Sequence, residues 1–458
     1  MWLGIVGTLG LLVLVVVVAV VVWSGASLAS DSTALAQVSV GPFGGTIKSV
    51  HAYGPRGRAI PLAVKEGQLT PRVKLTPGER VSIEAVVVRP GFDGWALGST
   101  SRQRLTVQAP VAQVSSRWLT VAPGAAPRVR FDVPVAAVAY GNGGDPRRRA
   151  LRQAADSVSL GYRSDTGSAL VAVAARSWER LGRPVRVAWF PTSAGSMMVV
   201  SPAPGSRISP AGQIELTFSK PVTEVFGSQR PRLSPSTPGR WREVDSHTLV
   251  FSPSGYGAAL ASQLHMSLPH AIDVTGPAGE AARNASQLEW TVPGGSTLRL
   301  QQLLAQAGYL PLEWAPSGGE VRRTPVAQVQ AAVQPPAGHF AWRYASTPAA
   351  LKGLWSEGEA NVLTKGAVMM FESEHDMTAD GIAGRQVWQA LIGAALAGRR
   401  HTGGYTYVYV HREVPETLTL WHDGRTVLST PANTGIAGAE TELGTFPVFE
   451  HIPEGTME

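Results

Sequence analysis

Apolar positions along the chain change period several times, and each change marks a different kind of element. Residues 2–23 carry no charge, and Leu11 to Val22 is almost pure Val and Leu. At roughly 1.5 Å per residue, such a run crosses a hydrocarbon core of about 30 Å. Farther on the period falls to two. Val81, Ile83, Ala85 and Val87 alternate with Ser82, Glu84 and Val86, and Val129, Phe131 and Val133 sit between Arg128, Arg130 and Asp132. Ile214, Leu216 and Phe218 repeat the alternation, and further strands are expected around Trp241, at Thr248–Pro253 and at Met266–Pro269. These are half-buried strands. Leu298, Leu300, Leu303 and Leu304 then fall at helical spacing, as do Ala367 to Glu372 and Val387 to Leu391. From Tyr405 the pattern returns to strands, with Tyr405, Tyr407 and Tyr409 alternating with Thr406, Val408 and Val410. The fold class expected is therefore multidomain and mainly β, with an N-terminal transmembrane helix, β-sandwich modules, one small helical domain and a terminal β module.

Composition narrows this picture. A chain of 458 residues exceeds one compact core. Hydrophobic residues at 44% against 16% charged describe folded matter. The 50 Gly and 34 Pro favour short strands joined by turns. Cysteine is absent, which excludes disulfides, thiolate zinc sites and a cysteine nucleophile within these residues. The net charge of +7 comes from scattered cations, so no nucleic-acid partner is expected. One tight cluster, Arg147, Arg148, Arg149 and Arg152, reads as a solvated loop leading into a short helix. The expected boundaries are 1–30 for the membrane segment, 36–193 for β-rich modules, 197–293 for a sandwich, 294–400 for the helical domain and 403–458 for the last module.

The first 30 residues admit two readings. The apolar run exceeds the roughly 7–15 residues of a cleaved signal peptide, which favours an uncleaved anchor. Ser27-Leu28-Ala29 nevertheless offers a small-residue cleavage pattern. The first cation is Lys48, so charge asymmetry does not set orientation.

Three stretches resemble known families. Residues 197–293 resemble the Ig-like domains of bacterial surface proteins, which implies a spacer or stalk. Within 294–400, a Leu-rich helix runs into Gly308-Tyr309-Leu310. A helix bearing Phe371, then Asp380-Gly381-Ile382-Ala383-Gly384, then Val387-Trp388 follow in order. This order is similar to the small helical peptidoglycan-binding domain, with an insertion between about Glu313 and Gly366. The motif residues read mostly as structure: Gly381 and Gly384 for a tight turn, Leu303, Phe371, Trp388 and Leu391 for a helical core. A glycan contact would fall in the insertion, on Trp342, Tyr344 and Trp355. Glu372, Glu374, His375, Asp376 and Asp380 form a dense acidic cluster without metal-ligand spacing, so neither a metal nor a cofactor is expected.

The last module carries Leu418-Thr419-Leu420-Trp421 leading into the Asp423-Gly424 turn. Thr430-Pro431-Ala432-Asn433-Thr434-Gly435 follows, then Thr441 to Val448 with Gly444, Thr445 and Phe446. Together these resemble the opening of the L,D-transpeptidase catalytic domain, with Glu442 where that family usually has Pro. The resemblance implies a cysteine-dependent acyl transfer between peptidoglycan stem peptides, activated by a nearby His. Its cysteine motif lies downstream in the family and is absent from these 458 residues, so this chain is expected to be inactive and C-terminally incomplete. No GxSxG elbow or Gly-Lys phosphate loop replaces it. The expected partners are peptidoglycan and, through the N-terminal segment, a membrane. The expected place is the cell envelope, outside the cytoplasm. A non-catalytic wall-binding spacer is the alternative.

Overall fold

The computed structural model describes residues 26–41, 45–88, 100–142, 146, 148–162, 165–193, 195–269, 272–282 and 286–448. The apolar run at Leu11–Val22 lies outside the described residues. Among those described, no helix is long and apolar enough to cross a membrane. The chain divides into two units, 1–194 with 277–280, and 195–276 with 281–458.

The first unit opens with seven strands: β1 (Ala26–Ser30), β2 (Ala36–Val40), β3 (Thr46–Tyr53), β4 (Leu62–Lys65), β5 (Gln68–Pro71), β6 (Arg80–Val88) and β7 (Thr100–Gln108). They form a sheet of order β1-β2-β5-β4 and another of order β3-β6-β7. The alternation along β6 sends Val81, Ile83, Ala85 and Val87 into the core, where each is at most 1% exposed. β1 lies before residue 36 and pairs antiparallel with β2 from Ala26↔Val40 to Ser30↔Ala36.

A second β module follows, with β8 (Trp118–Val121), β9 (Arg128–Gly141), β10 (Arg149–Ser159), β11 (Gly167–Ala174) and β12 (Val185–Pro191) in the order β10-β9-β11-β12-β8. The arginine cluster does not start a helix. Arg149 and Arg152 lie on β10, which pairs antiparallel with β9 across register shifts. Arg148 donates to the backbone oxygens of Glu179 (2.7 Å) and Ser177 (3.2 Å), and Arg147 lies outside the described residues. One loop joins the two modules. Between β11 and β12, Trp178 enters the core of the first module and is 5% exposed. The Leu75 amide donates to Trp178 O (3.1 Å), the Arg180 amide to Leu75 O (2.8 Å), and Trp178 Nε1 to Thr33 O (3.1 Å).

The second unit starts with a two-sheet sandwich. Its elements are β13 (Ser196–Ser201), β14 (Ile214–Phe218), α1 (Val222–Phe226), β15 (Arg232–Ser234), β16 (Gly239–Asp245), β17 (Thr248–Pro253), β18 (Ser262–Ser267), β19 (Ile272–Thr275) and β20 (Gln287–Val292). The sheets run β16-β17-β14-β13-β19 and β15-β18-β20. Ile214, Leu216 and Phe218 meet Leu264, Met266, Leu288 and Trp290 in one core, as the alternation predicts.

The helical module comprises α2 (Thr297–Ala307), β21 (Leu312–Pro316), α3 (Pro325–Val333), β22 (Gly338–Trp342), α4 (Ala349–Lys352), α5 (Val362–Glu374) and α6 (Arg385–Ala397). The stretch between Glu313 and Gly366 is part of the fold. β21 and β22 pair as a hairpin, and Val329 and Ala332 of α3 enter the same core as Leu303, Phe371 and Trp388. Last come β23 (Thr406–His411), β24 (Thr417–His422) and β25 (Arg425–Pro431) in one sheet, with a short pair, β26 (Gly435–Ile436) and β27 (Ala439–Glu440). The chain is thus a mainly β, multi-sheet protein with few helices.

Candidate functional site

Of the residues whose order resembles the peptidoglycan-binding domain, Tyr309, Leu310, Phe371 and Trp388 meet in one core, where they serve as scaffold. Ser296 caps α2 by accepting from the Arg299 amide (3.2 Å), and Gly308 ends it in the left-handed region at φ 88°. Leu310 and Phe371 are fully buried, Tyr309 is 7% exposed and Trp388 4%. Trp388 closes against Gly295, where an added Cβ would lie 2.2 Å from the indole.

The Asp380–Gly384 turn is held from beneath. Gly381 has φ 73° and donates its amide to Glu372 Oε2 (2.8 Å). Asp380 is exposed and accepts from the Ile382 amide (2.7 Å), while Gly384 is the N-cap of α6. Burial pushes the Glu372 carboxyl up, against the lowering effect of the Gly381 amide. Glu374 instead accepts from Tyr309 Oη (2.6 Å) and pairs with His401 Nδ1 (2.7 Å), whose ring stacks on Tyr309 at 4.8 Å. Burial, and then the bond to Glu374, raise the Tyr309 hydroxyl above its usual range. His375 stacks on Phe371 at 4.0 Å. The acidic cluster therefore disperses into separate hydrogen bonds, and no group of three metal-ligating side chains occurs among the described residues.

The polar face of α2 is buried as well. Arg299 is 2% exposed and donates to Gln302 Oε1 (3.1 Å) and Gln328 Oε1 (2.7 Å), 6.0 Å from the Trp314 ring. Burial lowers its guanidinium to about 10. Gln301 holds the loop after α4 through Ser356 O (2.9 Å), Glu359 O (3.0 Å) and the Gly358 amide (2.7 Å), and reaches the first turn of α5 at Thr364 Oγ1 (3.1 Å). Sequence reasoning missed these residues. The nearest signal was the insertion, long enough to cover a polar helix face.

The transpeptidase-like residues separate into three places. Asp423 (φ 43°) and Gly424 (φ 86°) make the two-residue turn between β24 and β25. That turn sits against the helical module: Tyr344 Oη donates to Asp423 Oδ1 (2.6 Å), Ser346 Oγ donates to Gly424 O (2.6 Å), and Trp421 meets Tyr344 edge-on at 5.5 Å. A Cβ on Gly424 would come within 2.9 Å of the Tyr344 ring. Thr434 is buried and donates its amide (2.9 Å) and hydroxyl to the Glu416 carboxylate. Gly435, at φ 94°, leaves no room for a Cβ beside Ala439 O. Gly444, Thr445 and Phe446 are exposed and join neither group. Of the insertion aromatics, Trp342, Tyr344 and Trp355 are half-buried against the helical core.

Burial works against the Asp423 charge, but bonds from Tyr344 and the Tyr405 amide, with His422 and Arg343 nearby, outweigh it and hold the carboxyl below its usual range. Its stabilising contribution is therefore present above about pH 4 and lost as pH falls through the depressed value. Tyr344→Phe should cost about 1–2 kcal/mol near neutral pH. In urea titrations the deficit should shrink below pH 4. A deficit constant with pH would show that the charge on Asp423 plays no part.

No protein-family profile and no curated protein matches the chain. Among solved structures, it is similar to SGBP-B of the Bacteroides ovatus mixed-linkage glucan utilization locus, solved with a mixed-linkage heptasaccharide. The identity is 13% and the TM-score 0.18, over 59% of this chain and 65% of that one. The I9–I11 tandem from titin gives 9% and 0.13, over 40% and 66%, and Sidekick-1 immunoglobulin domains 1–4 give 12% and 0.11, over 59% and 72%. The chain thus spans just under two thirds of the first two, and likeness at these values assigns no function.

Proposed function

We propose that this chain is a cell-wall protein that docks on peptidoglycan and belongs to a cross-linking system of the L,D-transpeptidase type. The observation that carries the reading is the packing of Tyr309, Leu310, Phe371 and Trp388, from successive parts of the ordered motif, in one helical core, with the Asp423–Gly424 turn seated beside it. Ig-like modules serve as the stalk in this reading, and the N-terminal apolar run tethers the body outside the cytoplasm. Purified, detergent-solubilised chain should co-sediment with peptidoglycan sacculi, and muramidase digestion of the sacculi should release it. A chain that stays in the supernatant would sink the docking role. The enzymatic half is tested by reading the coding sequence past Glu458: a stop codon there, with no Ser-x-Gly-Cys motif, removes it.

A second reading, a non-catalytic wall-binding spacer, is favoured by the absence of cysteine from all 458 residues. Both readings expect no thiol-dependent acyl transfer from this polypeptide.

A further inference from the structure

The outer face of the β3-β6-β7 sheet carries groups that its core does not require. While Val81, Ile83, Ala85 and Val87 point inward, the alternate positions form cross-strand rows on the opposite face: Tyr53–Ser82–Thr106 and His51–Glu84–Arg104. Two aromatic rings lie along one edge of it. His51 and Tyr53 stand 6.5 Å apart with planes 23° from parallel, and Tyr53 is 43% exposed. Beside them, Glu84 receives Arg102 Nε (2.8 Å) and Arg104 Nε (3.4 Å), with arginine side chains 63% and 72% exposed. Each guanidinium approaches Glu84 through Nε, and each carries four further N–H donors on its Nη atoms. Among the described residues of β6 and β7, this face sets Arg80, Arg102 and Arg104 against the single carboxylate of Glu84.

We propose that this face binds an acidic saccharide chain, one whose sugars carry carboxylates. Exposed ring faces stack on the apolar C–H faces of pyranose rings, and guanidinium forks match carboxylates in a planar, two-bond geometry. The combination selects a ligand with both a flat apolar side and regular negative charge. The site does not rest on the wall-docking reading, since it uses no residue of 294–458, and failure to co-sediment with sacculi leaves it intact.

The test is titration of the full chain, in mild detergent, with oligogalacturonate, using uncharged chito-oligosaccharide of equal length as the comparison. Oligogalacturonate should bind the tighter of the two, and binding should weaken steeply as salt is raised. Tyr53→Ala should weaken it about five- to tenfold, and Tyr53→Phe should restore it. Arg102→Ala with Arg104→Ala should weaken it further, with the melting curve unchanged. Absence of binding at low salt overturns the proposal. So does binding unaffected by Tyr53→Ala, or tighter binding to single-stranded DNA of the same charge, because either reduces the face to a general polyanion contact.

Discussion

Trp178→Ala should destabilise the first unit by about 3–5 kcal/mol, the range for truncating a buried Trp or Phe. The effect has two parts. The first is the cavity left in the core of the first β module, where the indole packs among residues such as Leu75 and Val81. The second is the bond from Trp178 Nε1, which leaves Thr33 O without its donor. Urea unfolding reads the total loss. Hydrogen exchange separates the parts, because strands β1 to β7 should lose protection while β9, β11 and β12 keep theirs. An unchanged urea midpoint would show that the loop rests on the first module without holding it.

Phe371→Ala should cost a similar 3–5 kcal/mol in the second unit. Phe371 is fully buried, meets Tyr309 edge-on at 5.4 Å and supports His375 at 4.0 Å. Its loss should loosen the Tyr309–Glu374–His401 group, which fixes the segment entering β23. Trp421 of β24 belongs to the same core, so β23 to β25 should lose exchange protection together with α2, α5 and α6. Continued protection of the sheet in this variant would mean that the two modules fold independently. If the proposed docking on peptidoglycan rests on the shape of this core, co-sedimentation with sacculi should fall in parallel.

Much of the local structure was legible in the pattern of the sequence. The alternations at Val81–Val87 and Ile214–Phe218 announced their strands because one face of each is buried and the other wet. The helical spacing at Leu298–Leu304 gives α2, but nothing in it shows that the face with Arg299, Gln301 and Gln302 is buried. That face is buried because α3 and the β21–β22 hairpin, distant in sequence, fold over it. The arginines of β10 read locally as a helix start, because the partner strand, β9, supplies the order that the irregular pattern of β10 lacks. The ordered strings around Tyr309, Phe371, Asp423 and Thr434 are visible in the sequence, yet the partners of these residues are not. Glu416 for Thr434, His401 for Tyr309 and Tyr344 for Asp423 are separated by 18 to 92 positions, and no local periodicity links them.

Strand β1 bears on how the chain can be matured. The small-residue pattern Ser27-Leu28-Ala29 lies within β1, whose backbone covers the outer side of β2. A peptidase cut after Ala29 would remove all of β1 except Ser30 and leave β2 with a bare row of donors and acceptors. Bare strands of this kind pair with whatever extended segment is near, including the same strand of another copy. Trimming at that point would therefore leave the sheet with a tendency to self-associate.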